Sequence, residues 1–163
     1  MKPRIETLPQ KKFVGKRKMM SFTKNGTFEL WRGFMPQKNT INNVAGEELY
    51  SLEVYDKKFF TQFSPDKEFE KWAAIEVSEF GNIPEEMEKL TVPEGLYAVF
   101  IHKGPATEAE RTYNFIFREW LPHSNYVLDH RPHFAVMGEK YKKDSPEAEE
   151  EIWIPVQPKD YRK

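Results

Sequence analysis

A chain of 163 residues, with 39% hydrophobic and 31% charged residues, is long enough for one globular domain with a sizeable apolar core. Its net charge of −1 excludes a general attraction to nucleic acid, and the absence of cysteine excludes disulfides, thiolate metal sites and cysteine nucleophiles. The N-terminus lacks the apolar core of a signal peptide, and no apolar run is long enough to span a membrane. We therefore expect a cytoplasmic protein that binds neither nucleic acid directly nor membranes.

Aromatic residues are unusually frequent, at 15% of the chain. Most of these rings are expected in the core, because large rings bury much apolar area. A surplus of rings can also line a concave site for a flat or apolar ligand. Composition alone leaves both interpretations open.

The first half of the chain contains three predicted strands and one helix. Residues Phe28, Leu30, Trp31 and Phe34 recur at helical spacing after Asn25-Gly26, so a helix is expected to begin with Thr27 as its cap. Pro36 ends or bends this helix early. The segment 81–95 contains two prolines and is predicted to be a surface connector. Runs rich in strand-forming residues predict strands over 11–22, 49–56 and 71–80.

The second half has the same order of elements. A strand is predicted over 95–104, followed by a helix that Thr107 and Glu110 can begin as a capping box. Pro122 is expected to end this helix, and two further strands follow. The apolar stripe of the helix consists of Tyr113, Ile116, Phe117, Trp120 and Leu121.

The order strand, helix, strand, strand therefore occurs twice, in a repeat over about 10–80 and another over about 94–157 of one domain spanning 1–163. Both helices must bury their apolar stripes against a sheet, which predicts an α+β fold. The two repeats are expected to be pseudo-symmetric and to form an antiparallel sheet. The two helices would flank a groove between the halves, which is a natural place for a ligand.

Several segments resemble the GyrI-like small-molecule-binding family, which is similar to the effector-binding domains of AraC- and MerR-type multidrug-responsive transcription regulators. The resemblance covers about residues 13–156. The segments are ELWRGFMP, KWAAIEV, PEGLYAVFIHKGP, the tail of REWLPHSNYVLDHRPHF, MGEKY and EEEIWIPV. Together and in this order the segments are specific for the family, although no single segment would be.

This resemblance implies an eight-stranded sheet and a hydrophobic cleft between the helices that binds bulky, planar or cationic drugs. It also implies that some free-standing members hydrolyse cyclopropane-containing, DNA-alkylating toxins. Regulators of the wider family carry a helix-turn-helix domain upstream. The first predicted strand begins by about residue 12, which leaves no room for such a domain, so direct control of transcription is not expected.

Glu76 is the first candidate site residue. Alternation along the predicted strand 71–80 places Trp72, Ala74 and Glu76 on one face. If this face lines the cleft, Glu76 can pair with a ligand cation or act as a general base. Otherwise it is a solvated carboxylate on an exposed face. The match of this segment to the family favours the first interpretation.

Ala135 stands where the family pattern has Glu directly after Phe. The resemblance implies that this Glu is the buried acid of the pocket, as a counter-charge for cations or a proton-handling group in the hydrolases. With Ala135, the pocket should be more apolar, prefer cations less strongly and lack the family's usual catalysis. Met137 and Glu139 share its face and Tyr141 continues it, so Glu139 could partly replace the acid. A bulge after Gly138 would instead expose Glu139.

The remaining candidates are rings. By the resemblance, Tyr97 faces the cleft, and Trp31 and Trp120 occupy corresponding places on the two helices. Each tryptophan could be a stacking platform for a flat ligand, although an aromatic residue on an apolar stripe more often belongs to the core.

The leading prediction is a stand-alone protein that binds planar or amphipathic drugs or toxins. Trp31, Trp72 and Trp120 would form its walls, and Glu76 and Tyr141 its polar contacts. The first alternative is a hydrolase of cyclopropane-containing toxins, with Glu76 as base and Tyr141 as acid. The second alternative is a protein-interaction module that inhibits an enzyme through its acidic exterior. No metal or cofactor is expected, because the histidines are scattered and no nucleotide-binding fingerprint occurs.

Overall fold

The computed structural model of the chain describes residues 1–105, 108–137 and 148–159. This described part forms nine strands in an open antiparallel α+β arrangement. The strands are β1 (Arg4–Leu8), β2 (Lys11–Met20), β3 (Leu49–Val54), β4 (Phe69–Val77), β5 (Glu88–Val92), β6 (Gly95–Lys103), β7 (Tyr126–Leu128), β8 (His133–Met137) and β9 (Glu149–Pro158).

Each half carries one helical region. Helix α1 (Thr27–Phe34) continues as a 3₁₀ turn over Met35–Thr40, because Pro36 cannot extend an α-helix. Thr27 is the first helical residue and Gly26 is the N-cap, so the predicted cap at Thr27 is wrong by one residue. The backbone N–H of Thr27 donates to Asn25 Oδ1 at 2.9 Å, which makes a turn just before the helix. The second region consists of α2 (Ala109–Asn114), a π-helical turn over Phe115–Trp120, and α3 (Leu121–His123), which contains Pro122. Thr107 lies outside the described residues. None of the described helices is both long and apolar enough to cross a membrane.

The strand order shows a twofold relation between the halves. The order is β1-β6-β9-β8-β3-β4-β2-β5, with β7 added beside β9. If β3 is exchanged with β8, β4 with β9, β2 with β6 and β1 with β5, the same strand order results, read from the opposite edge of the sheet. At the centre Leu52 pairs with Phe134, and these residues pair in turn with Trp72 and Trp153. The predicted α+β fold with two pseudo-symmetric repeats is thereby confirmed.

Three short strands were not expected from the sequence; the shortest is β7, which has three residues and follows the second helical region. Strand β1 lies before residue 12, where the first strand was predicted to begin, and β5 lies within the predicted connector 81–95. β1 and β5 are each five residues long, and each buries one residue fully, Leu8 in β1 and Val92 in β5. Alternation over so few apolar positions is too weak a signal to distinguish a polar edge strand from a loop.

The two edge strands also link the halves. β1 directly precedes β2 but pairs with β6, and β5 directly precedes β6 but pairs with β2. In a flat sheet β1 and β2 would be six strand spacings apart, about 29 Å. Only Pro9 and Gln10 connect them, and three Cα steps span at most about 11 Å. The sheet must therefore roll up strongly.

The roll separates an inner face from an outer face. The inner cluster spans both halves and includes Phe13, Tyr50, Trp72, Tyr97, Phe134 and Trp153. On the outer face, Leu30 and Phe34 of α1 pack against Ala73 and Ile75, and Ile116 packs against Phe100, Ile152 and Ile154. Both helical regions therefore cover the outer face, on either side of the central strands β3 and β8.

Candidate ligand-binding site

The floor between the two helical regions is made by β3 and β8. Ser51 pairs with Ala135, and Glu53 pairs with His133. These four residues alternate with Leu52 and Phe134, which belong to the inner cluster, so their side chains point to the outer, helix-covered face. All four are buried; Ala135 is only 4% exposed.

Glu53 places a carboxylate in this floor. Its side chain is 12% exposed, and its Oε2 lies 3.2 Å from Nζ of Lys71 on the neighbouring strand β4. Burial raises the pKa of Glu53, because a carboxylate loses hydration energy inside a protein, and the charge of Lys71 opposes that shift. Glu53 is therefore a buried acid whose charge is only partly compensated.

The twofold relation makes Glu53 the counterpart of Ala135. Because Leu52 and Phe134 are equivalent at the centre of the sheet, the next residue along each strand is equivalent too. The segments L-E-V-Y (52–55) and F-A-V-M (134–137) then correspond position by position. The acid missing from the second half is thus present in the first half. Sequence reasoning missed Glu53, although alignment of the two repeats would have shown it.

A group of rings adjoins Glu53 and its cross-strand partner His133, and we call five rings the aromatic cage: Tyr55, Phe60, Tyr113, Phe117 and His133. Phe60 stacks on Phe117 with ring centroids 5.4 Å apart and on His133 at 5.6 Å. Tyr55 meets His133 edge-on at 4.9 Å. Burial raises the pKa of Tyr55 and of Tyr113 well above the ordinary value, and the charge of Glu53 adds to both shifts. The cage therefore joins the central strands to α2 and the π-helical turn.

His133 is an uncharged wall of this cage. Burial lowers the pKa of His133 to about 3, and the charges of Arg131 and His130 act in the same direction. The imidazole is therefore neutral near neutral pH and contributes an aromatic surface without a competing positive charge.

A second acid lies close by on β9. Burial is the main cause of the raised pKa of Glu150; His102 and Lys71 oppose the shift, and Glu53 adds to it. Glu53 and Lys71 are therefore within electrostatic range of Glu150. Two carboxylates and one ammonium sum to one negative charge when both acids are ionised. Such a site is electrostatically suited to one additional positive charge.

The structure divides the predicted site residues between the two faces. Trp72, Glu76 and Tyr97 lie on the inner face, opposite to Ala135 and Met137. Glu76 accepts hydrogen bonds from Lys11 Nζ at 3.0 Å and from the Tyr50 hydroxyl at 3.5 Å. Trp72 Nε1 donates to Glu70 at 2.7 Å, and the Tyr97 hydroxyl donates to the Pro132 carbonyl at 2.8 Å.

The two helix tryptophans pack within their own halves. Trp31 lies edge-on to Phe34, with ring centroids 5.7 Å apart. Trp120 lies edge-on to Phe100 at 5.2 Å and stacks on Tyr126 at 6.2 Å. The structure does not bring these tryptophans together, whereas Phe60 and Phe117 do meet across the halves. Glu139 and Tyr141 lie outside the described residues.

A pseudo-symmetric antiparallel sheet with two helical regions on one face is the architecture of this chain, and a buried acid beside rings is compatible with a small-molecule-binding domain. The profile of the GyrI-like small molecule binding domain matches residues 1–157, and the chain belongs to this family. The resemblance seen in the sequence is therefore confirmed.

Individual proteins with this architecture differ in function. The transcriptional regulator BrlR of Pseudomonas aeruginosa is 26% identical over 157 residues, which make up 96% of this chain but 56% of the regulator. The chain thus spans little more than half of that relative. SAV2435 bound to tetraphenylphosphonium aligns with a TM-score of 0.71 at 16% identity, covering 96% of this chain and 94% of SAV2435.

A hydrolase encoded by lin2189 from Listeria innocua aligns with a TM-score of 0.59 at 12% identity, over 96% of this chain and 92% of the hydrolase. At these identities the two structures show the shared fold alone.

Proposed function

We propose that this protein binds bulky or planar organic monocations between its helices, with Glu53 as the counter-charge. The observation that carries the proposal is a buried carboxylate that stands at the repeat equivalent of Ala135, next to the group of rings that forms the aromatic cage. Drug or toxin capture is the use we infer for such a site. The tetraphenylphosphonium bound to SAV2435, a protein of the same fold, supports this class of ligand.

The charge balance favours a cation. The pKa values of Glu53 and Glu150 are both raised by burial, so both acids lack the solvation that they would have in water. Lys71 compensates one negative charge at 3.2 Å from Glu53. A hydrophobic monocation brings a weakly hydrated positive charge that can compensate the remaining negative charge. The rings of the monocation can contact the faces of the cage rings.

Phe60 occupies the place that a ligand ring would take. It lies on the connection between β3 and β4, is 38% exposed, and stacks on both Phe117 and His133. No regular strand or helix holds this residue. We infer that the Phe60 ring turns outward when a ligand enters and that a ligand ring then replaces its two stacks.

Replacing Phe60 with Ala should therefore accelerate tetraphenylphosphonium association about fivefold to 150-fold, because two ring contacts worth about 0.5–1.5 kcal/mol each no longer have to be broken. Stopped-flow tryptophan fluorescence measures this rate. Phe63→Ala is the matched control, since Phe63 is an exposed ring of the same connection that contacts Phe22 and Phe59. Weaker binding at an unchanged association rate would show that Phe60 is a wall of the site instead.

A pair of tetraphenyl ions tests the proposed function directly. Tetraphenylphosphonium and tetraphenylborate have nearly the same shape and opposite charges. Calorimetric titration should show binding of the cation and an affinity for the anion lower by about 100-fold or more, since each charge meets a buried site of net negative sign. Equal affinities would show that the cage recognises rings only and would refute the role of Glu53.

Hydrolysis of a strained, alkylating ring is the second candidate. Its supporting observation is the presence of two carboxylates with raised pKa values, Glu53 and Glu150, in one site. A base with a raised pKa can take a proton from water as the water attacks the ring. Product analysis after incubation with a cyclopropane-containing toxin distinguishes turnover from capture.

A further inference from the structure

A separate pocket lies at one end of the inner face, and we call it the sheet-end pocket. It encloses about 330 Å³ beside the connection between β1 and β2. Its floor contains Tyr50, Phe134 and Trp153, and its rim contains Lys11, Glu48 and Glu151. It opens on the face opposite to Glu53 and contains no residue of the aromatic cage.

The floor consists of closely packed aromatic rings, each less than a tenth exposed. Phe134 and Trp153 are stacked, with centroids 5.2 Å apart and planes 15° apart, and Tyr50 lies 5.8 Å from Phe134. Trp153 Nε1 donates a hydrogen bond to Glu151 at 3.0 Å, which holds the indole in place. A compact molecule of one or two rings matches both this volume and this floor.

The rim is mainly acidic. Burial raises the pKa of Tyr50, and the charges of Glu76, Glu48 and Glu151 add to the shift. The Tyr50 hydroxyl lies 3.5 Å from Glu76, and Glu48 and Glu151 line the same pocket. Lys11 lies 3.0 Å from Glu76, and Arg4 lies 3.3 Å from Glu151. Glu48 makes no ion pair with any residue in the described ranges. A cation in the pocket would supply that pairing.

The protein's own guanidinium groups show which kind of cation fits rings on this face. At the mouth of the pocket, Arg4 lies over Trp153 at 5.8 Å from the ring centroid. At the other end of the sheet, next to the equivalent connection between β5 and β6, Arg131 lies over Tyr97 at 4.7 Å and is 9% exposed. A planar cation over a ring therefore already occurs at both ends of the inner face.

We propose that the sheet-end pocket is a second binding site, specific for a compact planar cation of the aryl-amidinium or aryl-guanidinium class. The site is independent of the proposed cation site at Glu53, because the sheet separates them. A ligand ring would contact Tyr50 and Trp153 where they line the pocket, and its cationic group would face Glu48 and Glu151.

The probe pair for the test is 4-aminobenzamidine and its neutral analogue 4-aminobenzamide. The chain has four tryptophans, so a ¹⁵N-labelled sample gives four indole N–H signals that Trp→Phe variants assign. We expect 4-aminobenzamidine to shift the Trp153 signal in a saturable manner and to leave Trp31 and Trp120 unchanged. Binding of the neutral amide should be at least tenfold weaker. Equal binding of the two probes would overturn the proposed charge recognition.

Two exposed, adjacent acids provide matched variants. Glu48→Lys should weaken 4-aminobenzamidine about tenfold, because it reverses a charge at the rim, whereas Glu47→Lys changes the net charge equally and should alter affinity less than twofold. Equal losses would mean that only net charge matters and would overturn the site. Glu53→Gln should leave the Trp153 titration unchanged. A probe that instead shifts Trp31 or Trp120 and is lost in Glu53→Gln would refute this second site and leave the proposed function standing.

Discussion

Replacing Glu53 with Gln is expected to weaken tetraphenylphosphonium binding by about 30-fold to 150-fold, on the order of 2–3 kcal/mol. The change keeps the shape of the side chain and removes the charge that the cation would meet in the cage. In the unmodified protein, affinity should also fall as pH drops through the raised pKa of Glu53, because the protonated acid no longer attracts a cation. Isothermal titration at several pH values measures both effects.

Glu76→Gln is the matched control for this variant. Glu76 is also a carboxylate of the sheet, on β4 next to the central strands, but it lies on the inner face and accepts hydrogen bonds from Lys11 and Tyr50. Its replacement should leave tetraphenylphosphonium affinity within about twofold, since the sheet separates it from the cage. If Glu76→Gln abolished binding and Glu53→Gln did not, the ligand site would be on the inner face and the proposal would fail.

Stability should respond to Glu53→Gln with a defined dependence on pH. The folded protein holds the Glu53 proton more tightly than the unfolded chain, whose carboxyl has its ordinary pKa of 4.5. The stability contributed by the protonated acid is therefore complete below that value and is lost as pH rises through the raised folded pKa. Gln does not titrate, so the variant should gain stability relative to the original protein between pH 5 and pH 8. Urea unfolding at both values measures this difference.

The second large effect concerns Ala135. In a Glu53→Gln background, Ala135→Glu should raise the affinity for the cation at least tenfold. The reason is that the twofold relation places the new carboxylate on the same floor as Glu53. Calorimetry with tetraphenylphosphonium measures the recovery. Ala135→Gln in the same background has nearly the same volume without the charge and is the control. Equal recovery of affinity with Ala135→Glu and Ala135→Gln would show that the gain comes from packing and not from the charge.

The same variants address hydrolysis. If Glu53 acts as a base, product formation from a cyclopropane-containing toxin should disappear in Glu53→Gln while binding of neutral ring compounds remains. Turnover that occurs only after Ala135→Glu is introduced into the unmodified chain would indicate a binding scaffold whose catalytic acid is missing.

The local pattern of the sequence was sufficient for the general architecture. Apolar spacing identified α1, the second helical region and the longer strands, and their repeated order predicted the pseudo-symmetric α+β fold. Motifs such as KWAAIEV and EEEIWIPV identified the family. Strands β1, β5 and β7 were missed, because each is short and buries at most one residue.

The candidate site depended more on tertiary structure. Alternation correctly grouped Trp72, Ala74 and Glu76 on one face, but the same pattern is compatible with either face being covered by helices. Phe60 belongs to a connection without periodicity, so its contact with Phe117 across the halves has no local signal. Glu53 becomes notable only when the two repeats are aligned through Leu52 and Phe134.

By itself, the sequence determined the elements, their twofold repetition, the family and the groups of residues that share a strand face. Only the tertiary structure decided that the face carrying Ala135 lies beneath the helices and that the face carrying Glu76 lies inside the rolled sheet. The physical reason is that side-chain alternation is a property of one strand. Which face becomes the interior depends instead on the short connections from β1 to β2 and from β5 to β6, which join strands from distant positions and force the sheet to curl.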